Sequence, residues 1–100
     1  MIRNVTMGRL HPGADMQQLD EGLKGLRALL DGDRIAGLIG LDCGRDAGLR
    51  VGNWDYAVTA DLLDEAAYRR YDEDEEHNRI RRELLGPVSQ QIVRVQFVMG

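Results

Sequence analysis

Apolar and polar residues alternate in four stretches of the chain, and this period of two predicts four β-strands. The first covers residues 2–10, with one face apolar at its centre and the other face polar or small. The second, residues 38–44, is rich in glycine, and the third covers residues 54–63. The last covers residues 92–99 and carries these apolar side chains on one face: Val93, Val95, Phe97 and Met99.

Between the strands, apolar residues recur at spacings of three and four, which is typical of helices with one buried face. Asp15 is the predicted N-cap of the first helix, and Gln18 three positions later completes a capping-box pattern. Asp64 is the predicted N-cap of the second helix, and a third helical stretch follows the acidic residues 72–76. The three apolar stripes are Met16, Leu19, Leu23, Leu26 and Leu30, then Ala67, Tyr68 and Tyr71, and finally His77, Ile80, Leu84 and Val88.

The resulting order is β-α-β-β-α-β, which is the ferredoxin-like α+β pattern of a four-stranded antiparallel sheet with its helices on one face. We expect a single domain over residues 1–100. The helices leave the second face of the sheet uncovered, and we expect this face to pair with the sheet of a second copy. Two sheets packed in this way form a homodimeric α/β barrel.

Composition and charge exclude several classes of function. The 13 basic residues are scattered among 17 acidic ones, for a net charge of −4, so nucleic acid is not an expected partner. No signal peptide is predicted, and no uncharged apolar run approaches the ~20 residues of a membrane span, so a membrane is not expected either. Cys43 is the single cysteine, and we interpret it as a small core residue, which fits a reducing cytoplasm.

Tyr71 and His77 are the residues with the clearest candidate chemistry. A phenol and an imidazole are among the few side chains that transfer protons near neutral pH. We interpret His77 as a general base that removes a proton beside a carbonyl, and Tyr71 as a hydrogen-bond donor to the developing oxyanion. In the alternative interpretation, Tyr71 packs under the sheet and His77 caps a helix. If the acidic residues 72–76 lie near the imidazole, they are expected to favour the protonated form of His77.

Four residues on two strands are candidates for the lining of a ligand pocket. Alternation places Asn4 and Thr6 on one face of the first strand, and Trp54 and Tyr56 on one face of the third. If these faces point toward the helices, they line a pocket with polar groups and two aromatic walls. In the alternative, the aromatic rings fill the core or the dimer interface, and Asn4 is a satisfied buried polar residue.

The acidic residues beside His77 are also candidates for a metal site. Asp72, Asp74 and His77 could together ligate a hard cation, but an acidic run at a helix start is usually a solvated face, so we predict no metal. The chain lacks a phosphate-binding glycine loop, a nucleophile elbow, a zinc-ligand spacing and a dinucleotide fingerprint. No cofactor is therefore expected.

The chain resembles the stress-responsive A/B barrel (Dabb) family, within the dimeric α/β barrels, over almost its whole length. The resemblance rests on residues 1–5, on the third-strand residues 56–58, on residues 64–71 and on His77. Family members open with Met-Ile-Arg/Lys-His-Val and carry a tyrosine followed by His-Pro-x-His. Here Asn4 stands in place of the opening histidine, and only the last histidine of His-Pro-x-His is kept, as His77.

The resemblance implies a homodimer with a cavity between each sheet and its helices. A few members resemble cofactor-free polyketide cyclases, in which a tyrosine and a histidine at the positions of Tyr71 and His77 assist an aldol-type ring closure. Most members have no assigned activity.

Three hypotheses follow for this chain. It binds an apolar, carbonyl-bearing small molecule and catalyses a cofactor-free cyclisation, or it is a non-catalytic, stress-responsive structural dimer. The third is a cofactor-independent monooxygenase that uses Trp54, Tyr56 and His77. A connected void beside His77 favours the first hypothesis, and a filled core favours the second.

Overall fold

The computed structural model describes all residues from 1 to 100, and its elements follow the predicted order. The strands are β1 (Ile2–Leu10), β2 (Leu38–Arg45), β3 (Tyr56–Leu62) and β4 (Ser89–Val98). The helices are α1 (Met16–Ala28), α2 (Glu65–Glu73), α3 (Glu75–Ile80) and the single turn α4 (Gly86–Val88). A 3₁₀ turn, Asp31–Asp33, follows α1, and a π-helical turn, Arg81–Leu85, joins α3 to α4.

The four strands form one antiparallel sheet in the order β2-β3-β1-β4, which confirms the predicted ferredoxin-like α+β fold. Thr6 in the central strand β1 lies opposite Val58 on β3 and Arg94 on β4. Directly opposed residues share a face of the sheet. The register therefore places on the helix-covered face Asn4, Thr6 and Gly8 of β1, Tyr56, Val58 and Ala60 of β3, and Ile92, Arg94 and Gln96 of β4.

The start of α1 confirms one half of the predicted capping box. The Asp15 carboxylate accepts hydrogen bonds from the backbone N–H groups of Gln17 and Gln18, so Asp15 is the N-cap. The Gln18 amide does not return to the cap. It donates instead to the carbonyls of Glu83 and Leu84, at 3.3 and 3.1 Å, and so ties α1 to the π-helical turn.

Two glycines in α1 allow the C-terminal helical segment to pack closely against it. A Cβ on Gly22 would lie 2.7 Å from the Leu85 side chain, and one on Gly25 would lie 3.0 Å from Ile80. Each glycine costs about 1 kcal/mol of intrinsic helix stability relative to alanine. The close packing against Leu85 and Ile80 is what offsets that cost.

The predicted apolar stripe of the last helical stretch is wrong at one position. Its buried residues are His77, Ile80, Leu85 and Val88, whereas Leu84 is half-buried. The π-helical turn causes this shift, because its wider turn inserts one extra residue between two core positions. The stripe of α1 shifts in a similar way at its end, where Leu29 rather than Leu30 is buried.

The two faces of the sheet have different surroundings. The helix-covered face packs on the core, whose largest fully buried side chains include Tyr56, Leu19, Leu23 and Ile80. The opposite face, which we call the outer face, has no helix on it and carries Met7, Val95 and Phe97 at 39%, 57% and 47% exposure. No helix has the length and apolar composition that crossing a membrane requires.

Candidate functional site

A cavity of about 580 Å³ lies between the helix-covered face of the sheet and the helices α2 and α3. Asn4, Thr6 and Tyr56 line it from the strands, and Tyr71 and His77 line it from the helices. The structure therefore brings together five of the six predicted site residues. The remaining lining residues are Leu26, Val58, Tyr68, Asp72, Asn78, Arg81, Arg82, Leu85, Ile92 and Arg94.

The break between α2 and α3 positions the two candidate catalytic rings. Asp74 ends α2 in an extended conformation, with ψ at 131°, and its carboxylate accepts from the backbone N–H of His77 to cap α3. The chain therefore folds back at this point, and the rings of Tyr71 and His77 stack with centroids 4.0 Å apart and planes 26° apart. Both residues are buried.

The hydrogen bond of His77 fixes its tautomer. Its Nδ1 lies 2.7 Å from the carbonyl oxygen of Tyr71, and a carbonyl can only accept, so Nδ1 carries a proton. Burial disfavours the charged imidazolium and lowers the pKa of His77 to about 4. At neutral pH the ring is therefore uncharged, with its lone pair on Nε2.

The Nε2 atom of His77 opens into the cavity. It has no hydrogen-bond partner within the protein, and the structure contains no buried side-chain nitrogen or oxygen that lacks a partner. The atom must therefore be accessible at the cavity wall, which His77 lines. A neutral imidazole with an accessible lone pair is the form that a general base requires.

The acidic residues favour protonated His77, as predicted, but burial outweighs their effect. Asp72 and Asp74 do raise the pKa of His77, but desolvation and the Arg81 guanidinium lower it by more. Both carboxylates are also paired with arginines, Asp72 with Arg81 at 3.2 Å and Asp74 with Arg34 at 2.6 Å. Each carboxylate is therefore partly neutralised by its arginine, which weakens its effect on the pKa of His77.

The Tyr71 hydroxyl is a hydrogen-bond donor without a protein acceptor. No hydrogen bond involves this group, and since no buried side-chain oxygen lacks a partner, the hydroxyl is accessible at the cavity wall. Burial of the ring raises the pKa of Tyr71 well above its usual value. The phenol therefore stays protonated and can donate to an oxygen atom of a bound molecule.

Hydrogen bonds hold the side chains of Asn4 and Tyr56 in place at the floor of the cavity. The Gln96 amide donates to Asn4 Oδ1 at 2.6 Å, and Asn4 Nδ2 lies 3.4 Å from the hydroxyl of Thr6. Ser89 donates to the carbonyl of Leu85 at 2.6 Å, so its oxygen accepts from the Tyr56 hydroxyl at 2.7 Å. Asn4 is thus a satisfied buried polar residue that also lines the cavity.

Trp54 is the predicted site residue that the structure places elsewhere. The residue precedes β3 rather than lying within it, because the strand begins at Tyr56 and not at position 54. Its ring packs under the guanidinium of Arg9, 4.5 Å from the ring centroid, beside a shallow depression that Met7 and Ala57 of the outer face also line. Trp54 is therefore not a wall of the cavity.

Three arginines of the cavity were not predicted as site residues. Arg81 and Arg82 lie in the π-helical turn, one turn beyond His77, and Arg94 lies on the helix-covered face of β4. The sequence carried a signal for two of them. Arg81 follows His77 by four positions, a helical neighbour, and the alternation of β4 already placed Arg94 opposite the apolar face.

The acidic residues near His77 do not form a cation site in the structure. No group of three or more histidine, cysteine, aspartate or glutamate side chains lies close enough together to hold a metal ion. Cys43 is half-buried beside the core, where its Sγ lies 3.2 Å from the Leu23 carbonyl, and burial raises the pKa of its thiol. Its geometry is that of a small packed residue.

The family model of the stress responsive A/B barrel domain (Dabb) matches residues 2–99. The chain belongs to the Dabb family. A comparison with curated proteins found no match.

Solved structures show the same fold. A dimeric ferredoxin-like protein of unknown function from Thermobifida fusca is 30% identical, with 98% of this chain and 90% of that chain covered and a TM-score of 0.87. A hydroxynitrile lyase from Passiflora edulis is 14% identical, with 99% and 93% covered and a TM-score of 0.79. A Dabb family protein from Mesorhizobium loti is 18% identical, with 98% and 95% covered and a TM-score of 0.66.

Proposed function

We propose that this Dabb protein binds an apolar, carbonyl-bearing small molecule in the cavity and catalyses a cofactor-free proton-transfer reaction on it. His77 is the general base, and Tyr71 is the hydrogen-bond donor to the substrate oxygen. The observation that carries the proposal is the connected void beside His77, into which an uncharged Nε2 opens. A filled core at this place would have favoured a purely structural protein.

The chemistry proceeds in two steps. Nε2 of His77 takes a proton from the carbon beside the carbonyl. The electron pair of the C–H bond becomes the C=C bond of an enolate, and the π pair of the C=O bond moves to the carbonyl oxygen. The Tyr71 hydroxyl donates a hydrogen bond to this oxygen, where charge develops. In a cyclisation, the enolate carbon then forms a bond to a second carbonyl carbon of the same molecule, whose oxygen receives the proton from His77.

The cavity walls suit such a molecule. Seven of the 15 lining residues are hydrophobic, Leu26, Val58 and Tyr68 among them, and the other eight are polar or charged, so the cavity offers both apolar contact and hydrogen-bonding groups. The monooxygenase hypothesis loses one of its three residues, because Trp54 lies outside the cavity. Hydroxynitrile cleavage is a second candidate, since the Passiflora edulis lyase shares the fold and an accessible base could take the hydroxyl proton as cyanide leaves.

We also propose that the protein works as a homodimer that pairs the outer faces of two sheets. Solved neighbours from Thermobifida fusca and Jannaschia are described as dimeric ferredoxin-like proteins, which supports self-association of this chain. The exposed apolar side chains of Val95 and Phe97 give this face the character of an interface.

A carbon-acid exchange assay tests the catalytic proposal without knowledge of the natural substrate. Aryl methyl ketones are incubated with the protein in deuterium oxide, and proton NMR follows the loss of the methyl signal. We expect the wild type to accelerate exchange and His77→Asn to lower the enzymatic rate by roughly 100-fold or more. Tyr71→Phe, which removes only the donor, should lower it by roughly 10- to 100-fold.

The matched control is His11→Asn, which replaces the exposed second histidine of the chain. Equal exchange rates in the wild type and His77→Asn would contradict the role of His77. Cyanide release from mandelonitrile by the wild type, without ketone exchange, would support hydroxynitrile cleavage instead.

A further inference from the structure

The electrostatic sign of the cavity is opposite to that of the whole protein. Arg81, Arg82 and Arg94 line it together with one carboxylate, Asp72, and His77 is uncharged. The cavity therefore carries an excess of two positive charges in a chain whose net charge is −4. Such a local excess raises the concentration of anions at the site.

Two of the three arginines have no protein partner. Arg81 forms an ion pair with Asp72 at 3.2 Å, whereas Arg82 and Arg94 form no ion pair and no hydrogen bond. Both are exposed and line the cavity, so they stand at its mouth rather than at its base. Neighbouring arginines away from the cavity are engaged: Arg79 pairs with Glu76 and Glu83, and Arg69 pairs with Glu65.

The fold places the free arginines on opposite walls. Arg94 projects from β4 on the helix-covered face, directly beside Thr6 in the register, and Arg82 projects from the π-helical turn that follows α3. The cavity thus has one free guanidinium on its helical wall and one on its sheet wall. Each guanidinium presents a planar fork of donors that matches the oxygens of a carboxylate or phosphate.

We propose that the substrate of this cavity carries an anionic oxygen group, a carboxylate or a phosphate, which Arg82 and Arg94 bind at the mouth while the carbonyl lies deeper, beside His77. This inference rests on the proposed function, because it assigns a substrate class to the same cavity. It adds a specificity that the base and the phenol do not provide. Neutral ketones would occupy the cavity more weakly than acids of the same shape.

A set of three matched probes tests the inference by isothermal titration calorimetry at neutral pH. The probes are para-acetylbenzoate, its methyl ester and para-acetylphenyl phosphate, which share the ketone and differ in the second group. We expect the wild type to bind the carboxylate or the phosphate about tenfold more tightly than the neutral ester at low salt. The preference should weaken at about 0.5 M salt, where charges are screened within a few ångström.

The variant Arg82→Gln/Arg94→Gln should lose the preference while keeping the affinity for the ester. The matched control Arg69→Gln changes an arginine on the opposite side of α2 from Tyr71 and should keep the preference. A higher affinity for the phosphate than for the carboxylate, or the reverse, identifies which of the two anions Arg82 and Arg94 bind better.

The outcomes separate this inference from the proposed function. Equal affinity for the ester and both anions would overturn the anion site and leave the cavity as a binding site for carbonyl compounds. A preference that survives in Arg82→Gln/Arg94→Gln would also overturn it. Absence of binding by all three probes would count against both the anion site and the proposed function.

Discussion

In the strands β1 and β4, polarity is distributed over the two faces of the sheet in the reverse of the usual way, whereas β3 buries Val58 and Ala60 under the helices and places Asp61 on the outer face. On the helix-covered face, which is the inside, β1 presents Asn4, Thr6 and Gly8, all polar or small. On the outer face, which no helix covers, the same strand presents Val5 and Met7, next to apolar residues of β4. In a monomer selected for stability alone, the buried face would carry the apolar residues and the exposed face the polar ones.

In the proposed function, the two faces of the sheet have separate roles. Polar and small side chains under the helices leave a cavity and supply hydrogen bonds at its floor, at the expense of apolar packing. Apolar side chains on the outer face gain stability only when a second surface covers them. In this proposal, β1 carries cavity residues at positions 4 and 6 and residues of the dimer interface at positions 5 and 7.

The largest expected effect comes from a charge on the outer face. Val95→Asp places a carboxylate at a half-exposed position in the monomer, where it is tolerated, but buries it twice in a symmetric dimer. Burial of an unpaired charge costs roughly 3–5 kcal/mol, so the dimer dissociation constant should rise by at least about 100-fold. Sedimentation velocity over a range of concentrations measures this change.

The control for that variant is Val98→Asp, which lies on the same strand but on the other face and is 77% exposed. It should leave the dissociation constant near the wild-type value. An unchanged dimer in Val95→Asp would show that the outer face is not the interface.

The second expected effect is a loss of stability at low pH, which comes from His77 under the helix-covered face. The unfolded chain binds a proton on His77 below its ordinary pKa of 6.5, whereas the folded chain binds it only near pH 4. The free energy of unfolding should therefore fall as pH falls from about 6.5 to 4, by roughly 3 kcal/mol from this residue. Urea unfolding at several pH values, for the wild type and His77→Asn, isolates the contribution.

His77→Asn should show a shallower loss of stability with acidification across that window, because asparagine does not titrate. His11→Asn is the matched control for the loss of a histidine. Parallel pH profiles for the wild type and His77→Asn would contradict the burial of a neutral imidazole.

The smallest expected effect tests how closely the cavity floor is packed. A Cβ on Gly8 would lie 2.0 Å from the ring of Tyr56, so Gly8→Ala must displace that ring and its hydrogen bond to Ser89. Overpacking of this kind costs about 1–3 kcal/mol, measurable by urea unfolding. Gly44→Ala in β2 meets nothing within 4 Å and is the comparison, so an equal loss in both variants would point to strand propensity instead.

Most of the fold could be predicted from the sequence, because periodicity is a local property of the chain. The alternation of residues 2–10 and the caps at Asp15 and Asp64 each depend on a few neighbouring positions. The π-helical turn could not be predicted in this way. Leu85 of that turn packs against Gly22 of α1, far away in the sequence, and a contact of this kind is not visible in local periodicity.

Most residues of the candidate site could be predicted from the sequence, but their charge states could not. Alternation and the family resemblance predicted Asn4, Tyr71 and His77 as site residues, and all three line the same cavity in the structure. The effect of the acidic residues on His77 was predicted in its direction, but the uncharged state of the ring was not, because the sequence shows adjacent charges but not burial. Trp54 was misplaced since its alternation with Tyr56 continues past the true start of β3.

The hydrogen bond between His77 Nδ1 and the Tyr71 carbonyl has a stereochemical consequence for the proposed reaction. Because Nδ1 keeps its proton on a backbone acceptor, the imidazole cannot relay a proton from one nitrogen to the other. The proton that Nε2 removes must leave from Nε2 again, toward the same side of the bound molecule. Hydrogen exchange at a stereogenic carbon beside the carbonyl would therefore retain configuration, and part of the original hydrogen would return to the carbon before solvent replaces it.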